Sequence, residues 1–127
     1  MPVEFVHRYN NAMVIDQSHK LFVFGDNLAR TGRAGQAIIR GCENTIGLPT
    51  KRAPCMDEFC FFTDADLAIV IKAASADIDT LFLAVGHGVT IVWPQDGIGT
   101  GLAQLPQRAP AIKKFYDALL EDLQKTS

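Results

Sequence analysis

The sequence has no apolar run long enough to cross a bilayer and no excess of positive charge. A membrane-spanning helix needs roughly 18 consecutive apolar residues, and no stretch of this 127-residue chain approaches that length. The 12 Lys and Arg residues are outnumbered by 14 Asp and Glu, for a net charge of −2, whereas nucleic-acid-binding domains are typically basic. No basic segment leads into an apolar one at the start of the chain. We therefore expect one cytoplasmic domain over residues 1–127, without a membrane or nucleic-acid partner.

Cysteine is also scarce, and the common nucleotide motifs are absent. Cys42, Cys55 and Cys60 form no Cys-x-x-Cys pair and have no histidine at a zinc-finger interval, which argues against a metal site. An odd cysteine count without a leader predicts reduced thiols that act as small, largely buried side chains. The chain lacks both G-x-x-x-x-G-K-[ST] and G-x-G-x-x-G, which argues against a P-loop and a standard dinucleotide fold. No cofactor is predicted.

The apolar pattern that is present predicts alternating strands and helices. Candidate strands are VEFVH (3–7), MVIDQ (13–17), KLFVFG (20–25), TIGLPT (45–50) and VTIVW (89–93). KLFVFG is apolar on both faces and so predicts a central strand. Helices are expected over 34–41, from a Thr63–Asp66 capping pair to Gly86, and after Pro110. This order predicts a three-layer α/β/α domain with a small, mostly parallel or mixed sheet.

Two glycine-rich loops follow strands of this predicted sheet. The first is FGDNLARTGRAGQA, which holds Gly25, Gly32 and Gly35, and the second is WPQDGIGTGLAQLP, which begins at Trp93. Bare backbone before a helix lets several N–H groups approach an anion, although tight turns also favour glycine. Two such loops at one sheet edge predict a pair of phosphate-binding loops. We therefore expect a diphosphate ligand, such as ADP-ribose or a dinucleotide.

These segments also resemble the macrodomain superfamily, which binds ADP-ribose. GDN…TGRAGQAIIRG is similar to its first loop and short helix, and IVWPQDGIGTGLAQLPQRAPAI is similar to its second loop. FGDNL, PTK and DGIGTGLA resemble a compact branch of the superfamily in phages and bacteria. The resemblance implies a macrodomain-like fold and a small-molecule ligand of the ADP-ribose type. It further implies that Asn27 binds the distal ribose and that Asp26 faces a ribose hydroxyl or the base.

The candidate ligand-binding residues belong to the two loops and to a basic segment after TIGLP. That segment, Thr50, Lys51 and Arg52, brings positive charge to the same sheet edge, although a solvated basic turn would have the same sequence. The full set is Gly25, Asp26, Asn27, Gly32, Arg33, Ala34, Gly35, Thr50, Lys51, Gly97, Ile98, Gly99, Thr100 and Gly101.

Asp96 is the main candidate for a catalytic residue, and Asp26 is a second candidate. A carboxylate directly before the second loop can act as a general base toward water, accept a bond from a ribose hydroxyl, or cap the glycine turn. We expect ligand binding rather than turnover, since no second acid or base accompanies Asp96. If the protein is an enzyme, the expectation is a hydrolase of ADP-ribosyl or nucleotide substrates. His87 is interpreted as a turn residue after the long helix.

Two other functions remain open at the level of sequence. DGIGTGLAQ partly resembles the GGxGTxxE loop of phosphoribohydrolases, but Ala103 or Gln104 stands where the glutamate is needed. Alternatively, the chain is a non-enzymatic protein that binds a partner. In that case Phe59, Phe61 and Phe62 would form an exposed aromatic interface, although the same side chains would also serve as a lid over an adenine ring.

Overall fold

A four-stranded parallel sheet forms the centre of the structure, a computed structural model that describes residues 2–126. The strands are β1 (Val3–Val6), β2 (Leu21–Asn27), β3 (Thr45–Lys51) and β4 (Ile91–Pro94). Their spatial order is β1-β4-β2-β3, and every neighbouring pair is parallel. The prediction of an α/β fold is confirmed. The sequence predicts a mostly parallel or a mixed sheet, and the sheet is parallel throughout.

The helices follow largely as the pattern predicts, with one exception near the start of the chain. They are α1 (Asn11–Asp16), α2 (Leu67–Gly86), α3 (Leu105–Arg108) and α4 (Pro110–Lys125), with 3₁₀ turns at Gly35–Ile39, Glu58–Cys60 and Asp64–Asp66. The candidate strand at 13–17 is wrong, because this segment lies in α1. The Asn10 side chain caps that helix by accepting a 2.8 Å bond from the Met13 amide, as is typical of an N-cap.

The long helix begins at the capping pair that the sequence predicts. The Thr63 amide donates a 2.8 Å hydrogen bond to the Asp66 carboxylate, and the reciprocal bond completes a capping box. A single 3₁₀ turn then leads into α2, which ends at Gly86 as expected. Pro110 is the first residue of α4, a position where its missing N–H costs no helical bond.

Side chains alternate across β2 and so build a core on each face of the sheet. Phe22 and Phe24 pack in a cluster with Tyr9, Val14 and Ile39, under α1 and the Gly35–Ile39 turn. Val23 points to the opposite face, where a larger cluster includes the buried side of α2 and α4. Burial on both faces confirms that β2 is a central strand, and the layers are helix, sheet and helix.

The connections after β2 and β4 leave the sheet on opposite faces, and this positions the site. After β2 the chain continues into the Gly35–Ile39 turn on one face of the sheet. After β4 it continues into α3 and α4 on the other face. Because β2 and β4 are neighbours, a crevice opens between the two connections at the carboxyl edge of the sheet. Ligand sites of open α/β sheets lie at such switch points.

No helix within residues 2–126 combines the length and apolar character that a membrane crossing requires.

Candidate functional site

A cleft of about 480 Å³ lies at the carboxyl ends of β2 and β3. Its volume falls within the roughly 300–1,000 Å³ typical of small-molecule sites. The cleft is lined by Gly25, Asp26, Asn27, Thr31, Gly32, Arg33, Ala34, Ala37, Thr50, Lys51, Pro54, Met56, Leu102 and Ala103. It therefore combines backbone of the first glycine loop, the end of β3, and an apolar wall.

The structure brings most of the predicted first-loop residues together and places the second loop differently. Eight predicted residues line the cleft: Gly25, Asp26, Asn27, Gly32, Arg33, Ala34, Thr50 and Lys51. Gly35 lies in a neighbouring depression with Arg8 and Gln36. Gly97, Ile98, Gly99, Thr100 and Gly101 are not lining residues, and the second connection reaches the cleft only through Leu102 and Ala103.

Asp26 is buried and holds the first loop in shape through two arginines. Its carboxylate pairs with Arg40 and, at 3.2 Å, with Arg30, and it also accepts the Asn27 amide at 2.8 Å. The carboxylate fills the space beside Gly47, whose Cβ, if present, would lie 2.8 Å from the Cβ of Asp26. Both oxygens of Asp26 are thus engaged within the protein.

Arg40 turns the peptide groups of the first loop toward itself. Its guanidinium donates to the carbonyls of Thr31 at 3.1 Å and Gly32 at 2.8 Å. In a trans peptide the carbonyl of one residue and the N–H of the next point in opposite directions, so the amides of Gly32 and Arg33 point away from Arg40. Gly32 adopts a φ of +88°. Successive loop amides bind an anion where they converge on it.

Asn27 contributes a buried acceptor that has no partner. The residue is 7% exposed, and its side-chain nitrogen donates a 2.8 Å bond to the Thr31 carbonyl. Its Oδ1 atom lacks a hydrogen-bond partner among the described residues. Because buried polar atoms are normally satisfied, this oxygen, in a residue that lines the cleft, is a candidate acceptor for a ligand hydroxyl or N–H group.

Lys51 is a buried cation at the other side of the cleft. It is 8% exposed, its Nζ donates to the Cys55 carbonyl, and its Nζ lies 4.7 Å from the centre of the Phe61 ring. None of the ion pairs among residues 2–126 involves it. Burial, with the nearby charge of Arg108, lowers the pKa of Lys51 below its usual range. An anion in the cleft would relieve this cost.

The phenylalanines do not form an exposed cluster. Phe61 and Phe62 are 2% and 1% exposed, while Phe59 is 67% exposed. The Phe61 ring makes cation–π contacts, since the Arg108 guanidinium lies 3.8 Å from its centre and the Lys51 ammonium lies nearby. The prediction of an aromatic interface or lid is therefore wrong for Phe61 and Phe62, because their rings pack inside the domain.

The glycines of the second loop pack on the sheet, and the loop lines the cleft only through Leu102 and Ala103. Ile98 is 2% exposed and belongs to the larger core. Gly99 has a φ of +76°, and a Cβ there would lie 2.6 Å from Cγ of Leu105 and 3.2 Å from Cβ of Thr50. Gln36 joins the two loops, accepting from the Gly25 amide at 2.8 Å and donating to the Gly97 carbonyl at 3.1 Å. Close packing is thus one reason for glycine in this loop.

Asp96 and His87 both lie outside the cleft. Asp96 has a 71% exposed side chain, and its carboxylate lies 3.9 Å from Nδ1 of the equally exposed His7. Thr100 donates to the Asp96 backbone carbonyl at 2.9 Å, which closes the turn. His87 follows α2 as its exposed C-cap residue, as the sequence predicts.

A cross-linked segment that we call the strap, residues 52–60, follows β3 and borders the cleft. Cys55 and Cys60 form a disulfide with a Cα–Cα distance of 5.8 Å, and Cys42 is free. The prediction of reduced thiols is therefore wrong for these two cysteines, since the 3₁₀ turn at Glu58–Cys60 brings them together. A carboxylate oxygen of Asp57 and the two sulfurs lie within 4.8 Å of one another.

Several site residues were missed by the sequence analysis. Pro54 and Met56 of the strap and Leu102 form the apolar wall, while Arg40 and Gln36 hold the loops. Leu102 directly follows the glycines of the second loop, and this position in the sequence could have identified it as a site residue. Nothing in the sequence could have identified Arg40 and Gln36, because their hydrogen-bond partners are distant in sequence.

The comparisons with known proteins give one match. No curated protein and no solved structure is significantly similar to the chain. Residues 4–119 match the model of a family of unknown function, DUF7831. The match covers most of the chain, which therefore belongs to this family.

Proposed function

We propose that this member of the DUF7831 family binds a phosphate-bearing small molecule of the ADP-ribose type in the cleft. One observation carries the proposal: a buried lysine without a carboxylate and a buried amide oxygen without a donor line the same cleft. Each is costly in the free protein. A single ligand with a phosphate and a neighbouring hydroxyl would satisfy both.

The phosphate would lie between Lys51 and the first loop. Lys51 supplies a positive charge that no described acid neutralises, and Gly32 and Arg33 present amides turned away from Arg40. The exposed Arg33 side chain borders the same space. Backbone amides together with basic side chains are a common recognition mode for phosphate.

The remainder of the ligand would occupy the ends of the cleft. Oδ1 of Asn27 suits a ribose hydroxyl, since it can only accept. Met56, Pro54 and Leu102 offer an apolar surface of the kind that packs on a planar base. A nucleoside diphosphate with a second ribose has all three chemical parts.

The geometry supports binding rather than hydrolysis. Asp26 is the only acidic residue among those that line the cleft in the described chain, and its oxygens are held by Arg30, Arg40 and the Asn27 amide. Asp96 lies outside. General base catalysis needs a carboxylate or imidazole within hydrogen-bond reach of the attacking water.

Calorimetric titration with a series of related ligands tests the proposal. We expect ADP-ribose to bind most tightly, followed by ADP and AMP, with inorganic phosphate weak and adenosine without measurable binding. A hundredfold excess over Kd would also stabilise the fold by about 2.7 kcal/mol in thermal unfolding. Failure of every phosphate ligand to bind at millimolar concentration, or equal binding of adenosine and AMP, would contradict the proposal.

A further inference from the structure

The disulfide lies next to the proposed ligand site, and the strap that it closes contributes to that site. Cys55 and Cys60 enclose a six-residue ring within the strap. The two ends of the strap are joined, since the Arg52 amide donates to the Cys60 carbonyl at 2.8 Å. Phe61, which follows the strap, forms an antiparallel bridge with Lys51 of β3. The ring is therefore anchored at its base.

The strap contacts the cleft at Lys51 and at the first loop. The Cys55 carbonyl accepts a hydrogen bond from Lys51, and Sδ of Met56 lies 3.6 Å from the same Nζ. Cβ of Pro54 lies 3.1 Å from the position that a Cβ of Gly32 would occupy, so the strap also contacts the first loop. The conformation of the strap thus determines where the Lys51 ammonium and the apolar wall lie.

We propose that Cys55 and Cys60 are a reversible thiol–disulfide pair, whose oxidation fixes the strap against Lys51 and raises the affinity of the cleft for its phosphate ligand. This inference rests on the proposed function and adds its regulation. Cys55 is half-buried and Cys60 is fully buried, so Cys55 is the sulfur that an external thiol or disulfide reaches.

The chemistry is an exchange with a low-molecular-weight disulfide such as glutathione disulfide. The Cys55 thiolate attacks one sulfur of the oxidant, whose S–S bond breaks and releases one thiolate. Cys60 then loses its proton and attacks Sγ of Cys55, which expels the second thiolate. Two protein thiols lose two protons and two electrons, and the oxidant becomes two thiols. Reduction runs the same steps backward.

The affinity changes because an open strap must be ordered when the ligand binds. In the oxidised form the Cys55 carbonyl and Met56 already lie against Lys51, and binding that needs less ordering is tighter. We expect about a tenfold difference in Kd, in the range of measured coupling between sites. The coupling is reciprocal, so saturating ligand should shift the thiol–disulfide equilibrium constant about tenfold toward the disulfide. For a two-electron couple this lowers the reduction potential by about 30 mV.

The experiment compares ADP-ribose affinity for protein oxidised with glutathione disulfide and for protein reduced with a phosphine. A chelator is present in both, because the two sulfurs and Asp57 would otherwise offer donors to zinc. We expect about tenfold tighter binding by the oxidised form. Cys55→Ser should show the weaker affinity under both conditions, and Cys42→Ser, the matched control, should keep the full difference.

A second measurement needs no variant and so remains informative if Cys55→Ser fails to fold. Alkylation and mass analysis in glutathione buffers give the disulfide fraction, which ADP-ribose should shift by about tenfold in the equilibrium constant. Equal affinity of both forms, or tighter binding by the reduced form, would overturn the inference and leave the proposed function standing. Absence of binding in both forms would overturn the proposed function and, with it, this regulation.

Discussion

Lys51 places a positive charge in a buried position. Little solvent reaches it, and no carboxylate among the described residues pairs with it. Its lowered pKa reflects that environment. A lysine kept only for the fold would be better exposed or paired, since unpaired buried charge destabilises. We therefore infer that Lys51 stabilises the bound state, in which an anion supplies the missing negative charge.

Replacing Lys51 by methionine separates these two roles. Lys51→Met retains an unbranched side chain of similar size but removes a charged hydrogen bond worth about 1.5–3 kcal/mol. We expect ADP-ribose affinity to fall roughly ten- to hundredfold, while the free energy of unfolding changes by less than about 1 kcal/mol. Calorimetry and urea denaturation measure the two quantities.

Two control variants accompany that measurement. Lys72→Met removes an exposed charge from α2 and Asp96→Asn alters the exposed carboxylate outside the cleft; each should change the affinity less than about twofold. If Lys51→Met binds as tightly as Lys72→Met, the ammonium does not contact the ligand. Loss of binding in Asp96→Asn would restore that carboxylate as a site residue.

Packing requires glycine at one position of the second loop and not at another. Gly99 has positive φ and no room for a side chain. Gly101, two residues later, has no atom within 4 Å of its Cβ position and no positive φ. The two glycines thus provide a comparison inside one loop.

Valine at Gly99 should destabilise the fold, whereas valine at Gly101 should not. Strained backbone costs about 1–3 kcal/mol and overpacking costs a similar amount, so Gly99→Val should lose at least about 2 kcal/mol of unfolding free energy. Gly101→Val should stay within about 0.5 kcal/mol of wild type. Urea denaturation of both variants decides the matter, and equal stability would show that the loop is not packed as described.

Local signals account for the elements that the sequence predicts. The Thr63–Asp66 capping box spans four residues, and the apolar run of β2 predicts burial on both faces without reference to any other segment. The Asp26–Arg40 pair joins residues 14 positions apart and forms only when the loop folds back. The strand predicted at 13–17 is wrong because the six residues of α1 are too few to show a helical period.

At the scale of the molecule, the parallel sheet positions the site. The connections after β2 and β4 leave on opposite faces of the sheet, so a crevice opens between them at the carboxyl edge. Its place at the carboxyl edge was predictable, and so were the first-loop and β3 residues that line it. The apolar wall was not, because the strap reaches the cleft through a cross-link and long-range contacts that the cysteine spacing did not indicate.

An NMR titration of ¹⁵N-labelled protein with ADP-ribose shows directly where the ligand binds. We expect saturable shifts of the amides at residues 31–34, 51, 102 and 103, which line the cleft. Ser18 and Glu43 border a separate depression, and their amides should not move. Saturable shifts confined to that depression, or no saturable shift at millimolar ADP-ribose, would contradict the assignment of the cleft as a nucleotide site.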